Sequence, residues 1–156
     1  MQTKKHRLDK EVYKKYSSIS FTINLTADID SALMDSVFES IESILIETAT
    51  KYSVILPVYL LMPNHMHLIT DTLTEEADSL KAIKMFKQKT GFEYSQSNPR
   101  TKWQRSFHDH IIRDDGDMFE HVRYILYNPV RKQLVENWKD YKYKGSQVYD
   151  LEDLAI

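Results

Sequence analysis

The chain has 156 residues, 42% of them apolar, enough for one ordinary globular core, and no run approaches the roughly 18 consecutive apolar residues of a membrane span. The absence of cysteine excludes disulfides and thiolate metal sites, so any metal must be held by nitrogen and oxygen. A formal net charge of −2 gives no overall attraction for a polyanion.

Met1–Lys15 is charged throughout and lacks an apolar stretch, which predicts no secretory signal and a cytoplasmic protein. Ser17–Leu25 alternates, with Ile19, Phe21, Ile23 and Leu25 on one side, and reads as a half-buried strand. Asp30 or Ser31 can cap a helix running to about Thr50, with Leu33, Val37, Ile41, Ile44 and Leu45 on its inner stripe. Val54–Leu61 and His65–Thr70 are strands joined by a tight turn at Met62-Pro63-Asn64, where Asn tolerates positive φ. Pro57 fits poorly in a central strand and predicts a bulge there or a later start near Val58. A second helix is expected over Ser79–Thr90, burying Leu80, Ile83 and Phe86 and stopped by Gly91; Ser95–Lys102 reads as a polar loop. Arg105–Arg113 reads as a fourth strand. Asp117 and Glu120 resemble a capping box for a helix over Met118–Asn128, and Pro129 suits the first turn of another over Val130–Val135. The order β-α-β-β-α-β predicts an α+β, ferredoxin-like antiparallel sheet with helices on one face plus C-terminal helices. One domain spans 1–156, with a basic arm at 1–16 and a tail at 136–156. That fold hosts many functions, so the function must come from the site.

The charge is unevenly spread. Asp28–Thr50 holds six acids and no Lys or Arg, whereas Lys81–Arg105 holds seven bases against Glu93 alone, and Arg123–Lys144 holds six bases against Glu136 and Asp140. A basic face on a near-neutral domain suits a polyanion, and Lys84, Lys87, Arg105 and Arg113 are the candidate contacts; two solvated helix faces would give the same pattern.

Two constellations carry chemistry. His65-Met66-His67 places both imidazoles on one face of a strand, where they can chelate one divalent ion, while Met66 and Leu68 fill the other face. His108-Asp109-His110 repeats the spacing on the fourth strand, and Asp109 there must be exposed or paired. On the helix over Met118–Asn128, Met118, Phe119, Val122, Ile125 and Leu126 form the core stripe, and His121, Tyr124 and Asn128 share the other side within about 60°. Tyr124 and Asn128 stand one turn apart, whereas Tyr127 lies about 100° away from Asn128, near Glu120 and Arg123. A phenol is a weak nucleophile at its ordinary pKa near 10, so it needs a base or a nearby cation, which an ion on two imidazoles would provide.

With these residues in hand, the sequence resembles the single-tyrosine HUH transposases of the REP-associated type over nearly the whole chain. Met62-Pro63-Asn64-His65-Met66-His67-Leu68-Ile69 resembles the histidine motif, with Met66 as its bulky apolar residue. Trp103–Arg113 resembles the fourth-strand segment, and Arg123-Tyr124-Ile125-Leu126-Tyr127-Asn128-Pro129-Val130-Arg131 the tyrosine motif. The resemblance implies that Tyr124 forms a covalent 5′ link to single-stranded DNA, often beside an imperfect hairpin. It implies that His65 and His67 bind Mg²⁺ or Mn²⁺ and that Asn128 completes the site, with either a monomer or a homodimer as the working unit. Pro129 departs from a smooth helix by restricting the backbone of Asn128. A ferredoxin-like nucleic-acid-binding module without cleavage, or a two-histidine metallohydrolase, would use the same sheet; only the transposase needs the tyrosine.

Overall fold

A computed structural model describes residues 7–97 and 101–156. The alternating segment forms β1 (Ser17–Asn24), followed through a short 3-10 turn at Ser31–Leu33 by α1 (Met34–Lys51). Asp30 caps that turn by accepting the Ala32 N–H at 2.9 Å, and Leu33 sits in it, exposed, rather than on the inner stripe. β2 (Val54–Met62) and β3 (His65–Thr72) make the hairpin, and α2 (Ser79–Ser97), β4 (His108–Ile112), α3 (Asp115–Leu126), α4 (Asn128–Arg131) and a short β5 (Lys144–Gly145) follow. The sheet order is β4-β1-β3-β2-β5, with antiparallel pairing throughout. Its first four strands have the ferredoxin-like arrangement; β5 is added by the tail.

The two faces of the sheet have separate cores. Ile19, Phe21, Ile23, Met66 and Leu68 face α1 and α2, whereas Val58, Leu60, Met62 and Ile69 face α3 and the tail. At Pro57, β2 changes which of its residues face which core. Val54 and Leu56 point to the α1/α2 core, but beyond a register shift between Ile55 and Val58 it is Tyr59 and Leu61 that point there. One extra residue reverses the parity of the strand, as a bulge must. The tail satisfies the backbone freed by it: Ser146 Oγ donates to Pro57 C=O at 2.6 Å, and Gln147 accepts from Leu56 N–H through Oε1 at 2.9 Å.

Several boundaries differ from expectation for physical reasons. α2 runs through Gly91 to Ser97, because glycine ends a helix by taking positive φ and no glycine here does so. The predicted polar loop thus loses Ser95–Ser97 to the helix, and its residues 98–100 lie outside the described residues, as do residues 1–6 of the arm. α3 is capped by Asp114, which accepts the Asp117 N–H at 2.8 Å, so it begins at Asp115 rather than Met118. Phe119, expected in the core stripe, is exposed. The last helix is Asn128–Arg131, earlier than Val130–Val135, and Gln133 ends it at φ 60°. β4 is shorter than Arg105–Arg113, since Lys87 Nζ holds the carbonyls of Gln104 and Arg105 at 2.8 and 3.1 Å in a loop. Asn64 does not take positive φ either; its side chain meets His65 instead.

Candidate functional site

Strand β3 projects His65 and His67 from the sheet face that carries α3, next to Ile69. Their Nε2 atoms are 3.1 Å apart. Two donors at right angles, each about 2.1 Å from an octahedral ion, would be separated by about 3 Å, so this spacing fits one hard divalent ion. Each Nδ1 is engaged from behind: that of His65 lies 2.6 Å from Asn64 Oδ1, and that of His67 lies 3.0 Å from Thr22 Oγ1 across the β1–β3 pair. Asn64 Oδ1 can only accept, which puts the His65 proton on Nδ1 and leaves Nε2 with a free lone pair. The Thr22 hydroxyl either donates or accepts, so His67 can present its Nε2 as donor or as ligand. Both rings stay neutral, as ligands must. Burial, then the charge of Lys132, holds His65 below its usual range. Burial, then His65 and Arg131, pushes His67 down to about 3.

Asn128 completes the cluster from α4. Its Nδ2 lies 2.6 Å from His67 Nε2 and 3.4 Å from His65 Nε2. Pro129 does not push it away, because Asn128 opens a new helix in which Pro129 occupies the first turn, where a missing N–H costs nothing. Asn128 is 5% exposed and its Oδ1 has no hydrogen-bond partner among the described residues. A half-turn of the amide carries that orphaned oxygen into the gap between the imidazoles. Two nitrogens and an unpaired oxygen converging on one point are a fitting donor set for Mg²⁺ or Mn²⁺.

Tyr124 stands beside this cluster, 56% exposed, its ring centroid 6.2 Å from that of His67. Arg131 covers it, with the guanidinium carbon 3.9 Å from the ring centroid and a nitrogen donating to the Tyr124 carbonyl at 2.5 Å. Nothing in the sequence gives Arg131 of the tyrosine motif a task or singles out Thr22, although Thr22 lies on the polar side of β1. Tyr127 points elsewhere: it packs into the core beneath the tail and its hydroxyl donates to Ile156 C=O at 3.3 Å.

The cluster opens into a cleft of about 440 Å³ whose lining includes Ser20, Thr22, His67, His110, Asp117, Glu120, His121 and Tyr124. Asp109, the acid between the paired histidines of β4, is paired with Arg7 at 3.0 Å and takes the Tyr13 hydroxyl at 2.5 Å. Of the four basic candidates, Lys84, Arg105 and Arg113 are exposed, while Lys87 is half-buried and committed to the Gln104-Arg105 loop. The acidic and basic stretches partly meet each other, since Glu47 of α1 pairs with Lys89 of α2 at 2.8 Å.

The family described as Transposase IS200 like matches residues 14–128. A Haemophilus influenzae protein named among the REP-associated tyrosine transposases is 35% identical over 138 residues, covering 80% of this chain and 77% of the relative. The Escherichia coli REP-associated tyrosine transposase is 27% identical over 136 residues, with 84% and 77% covered. A solved structure of a REP-associated tyrosine transposase bound to a REP hairpin has the same fold, with a TM-score of 0.74 at 24% identity over 91% of this chain and 82% of that one. The chain belongs to the IS200-like transposase family. Within that family it is a transposase of the REP-associated tyrosine type.

Proposed function

We propose that this transposase is a metal-dependent endonuclease and strand transferase for single-stranded DNA, with Tyr124 as its nucleophile and His65, His67 and Asn128 as ligands of Mg²⁺ or Mn²⁺. The observation that carries the reading is the convergence of both imidazole Nε2 atoms and the Asn128 amide next to an exposed tyrosine. When bound, a divalent ion supplies Lewis-acid polarisation of the scissile phosphate and offsets charge building on its oxygens. Asn64 and Thr22 hold the imidazoles in register, and Arg131 holds the Tyr124 ring in place by stacking over it. Tyr124 Oη bonds to phosphorus as the P–O3′ bond breaks, and the phenolic proton is passed through solvent to the 3′ oxygen, which leaves as a hydroxyl. The resulting 5′-phosphotyrosine keeps the energy of the broken bond, so a 3′-hydroxyl can reverse the step on another strand.

The hairpin bound by the structural relative makes a hairpin-bearing single strand the substrate to test, with Lys84, Arg105 and Arg113 as the proposed backbone contacts. Incubation with such a strand and Mg²⁺ should give a denaturant-resistant protein–DNA adduct, and peptide mapping should place the DNA on Tyr124. Tyr124→Phe removes one oxygen from an exposed ring, so folding and noncovalent binding should survive while the adduct vanishes. Tyr127→Phe should still form it. DNA mapped to Tyr127 would overturn the assignment, and a metal-independent absence of adduct would favour a binding module.

A further inference from the structure

The cleft contains a second set of donors that the His65/His67 cluster does not use. His110 of β4 and Asp117 and His121 of α3 each offer a ligand atom, and all three atoms lie within 4.8 Å of one another. Asp117 and His121 are four apart on one helix face, with His121 Nε2 3.5 Å from Asp117 Oδ1. The other oxygen of Asp117 accepts the Arg113 N–H at 3.1 Å, which fixes the carboxylate with Oδ1 turned to the histidines. The rings of His110 and His121 stack at 4.8 Å between centroids and 30° between planes, so both present edges to the same space. Donors around a tetrahedral ion at about 2.0–2.1 Å would lie about 3.4 Å apart, a closure that exposed and half-buried side chains reach by rotation. The charge of the cleft points the same way: Asp117 and Glu120 line the groove that, on the function proposed above, takes a DNA phosphate, and a cation there would relieve their repulsion.

We propose that His110, Asp117 and His121 form a second cation site, suited by its two imidazoles and one carboxylate to a borderline ion such as Zn²⁺ or Co²⁺. An ion there ties the edge strand β4 to α3 one turn before Tyr124, and so sets where the nucleophile stands. The site is independent of whether His65 and His67 hold a metal, and the test separates the two. Metal-stripped full chain is titrated with Co²⁺, read by its visible absorption, and with Zn²⁺, read by thermal melting. The His65→Ala/His67→Ala variant should still take up one Co²⁺ per chain and melt higher with Zn²⁺. Adding His110→Ala and His121→Ala should abolish both responses; circular dichroism shows whether that variant is folded, and Asp117→Asn in the same background, expected to weaken uptake at least tenfold, repeats the test with minimal change of shape. No uptake by the first variant, or uptake unchanged by the added substitutions, overturns the proposal and leaves His121 and Asp117 as a side-chain contact without a metal.

Discussion

Burying His67 as a neutral ring makes the stability of the metal-free protein depend on pH. In the unfolded chain His67 takes up a proton near 6.5, whereas in the folded chain it does so only at about 3. Between those values the unfolded state binds more protons than the folded one, so stability falls as pH falls, and the full contribution of the neutral ring is present only above pH 6.5. Each pH unit within the window is worth about 1.36 kcal/mol, so going from pH 6.5 to 4.5 should cost roughly 2–3 kcal/mol through this residue alone. His67→Gln keeps polar atoms in the site but does not titrate. Urea unfolding of metal-stripped wild type and variant at the two pH values isolates the effect, because carboxylates elsewhere contribute equally to both. The wild type should lose roughly 2–3 kcal/mol more than the variant. Equal losses would mean that His67 protonates in place, and would remove the reason for regarding it as a preformed neutral ligand.

Asn128→Ala removes an oxygen unpaired among the described residues together with the Nδ2 contact to His67, two effects of opposite sign, so metal-free stability should change by less than about 1 kcal/mol while affinity for Mn²⁺, measured calorimetrically, falls at least tenfold. Gly145→Ala should lower stability by about 1–3 kcal/mol in thermal or urea unfolding, because an added Cβ would stand 2.3 Å from the Tyr59 ring, whose hydroxyl is held by Glu42 at 2.9 Å. Lys84→Glu should weaken single-stranded DNA binding regardless of sequence and flatten the log–log salt slope by about 0.7 or more. Lys87→Glu should instead lower the melting temperature, since its ammonium holds the Gln104-Arg105 loop.

What the sequence made legible follows from how local each signal is. The alternation of β1, the His65/His67 spacing and the break at Pro57 are encoded within a few residues, and each appears where periodicity places it. The end of α2 was not legible, because Gly91 stops a helix only if its φ turns positive, and the packing around Trp103 does not ask for that. β5 was not legible either, since Lys144–Gly145 is too short to show a period and exists because β2 offers it an edge. Asn128 is the instructive case. Helix geometry places it on the Tyr124 face as the last residue of one helix over Met118–Asn128, but that helix ends at Leu126 and a second one begins with Asn128. Tyr127 between them keeps a right-handed helical backbone, so the Asn128 side chain still reaches His67, and Pro129 falls in the first turn of the second helix. A continuous helix could have carried a ligand at that position only by leaving out the proline; the break accommodates both, at the expense of burying an amide oxygen with no partner among the described residues. Such a group costs about 1–3 kcal/mol when left unpaired, which a bound cation would recover.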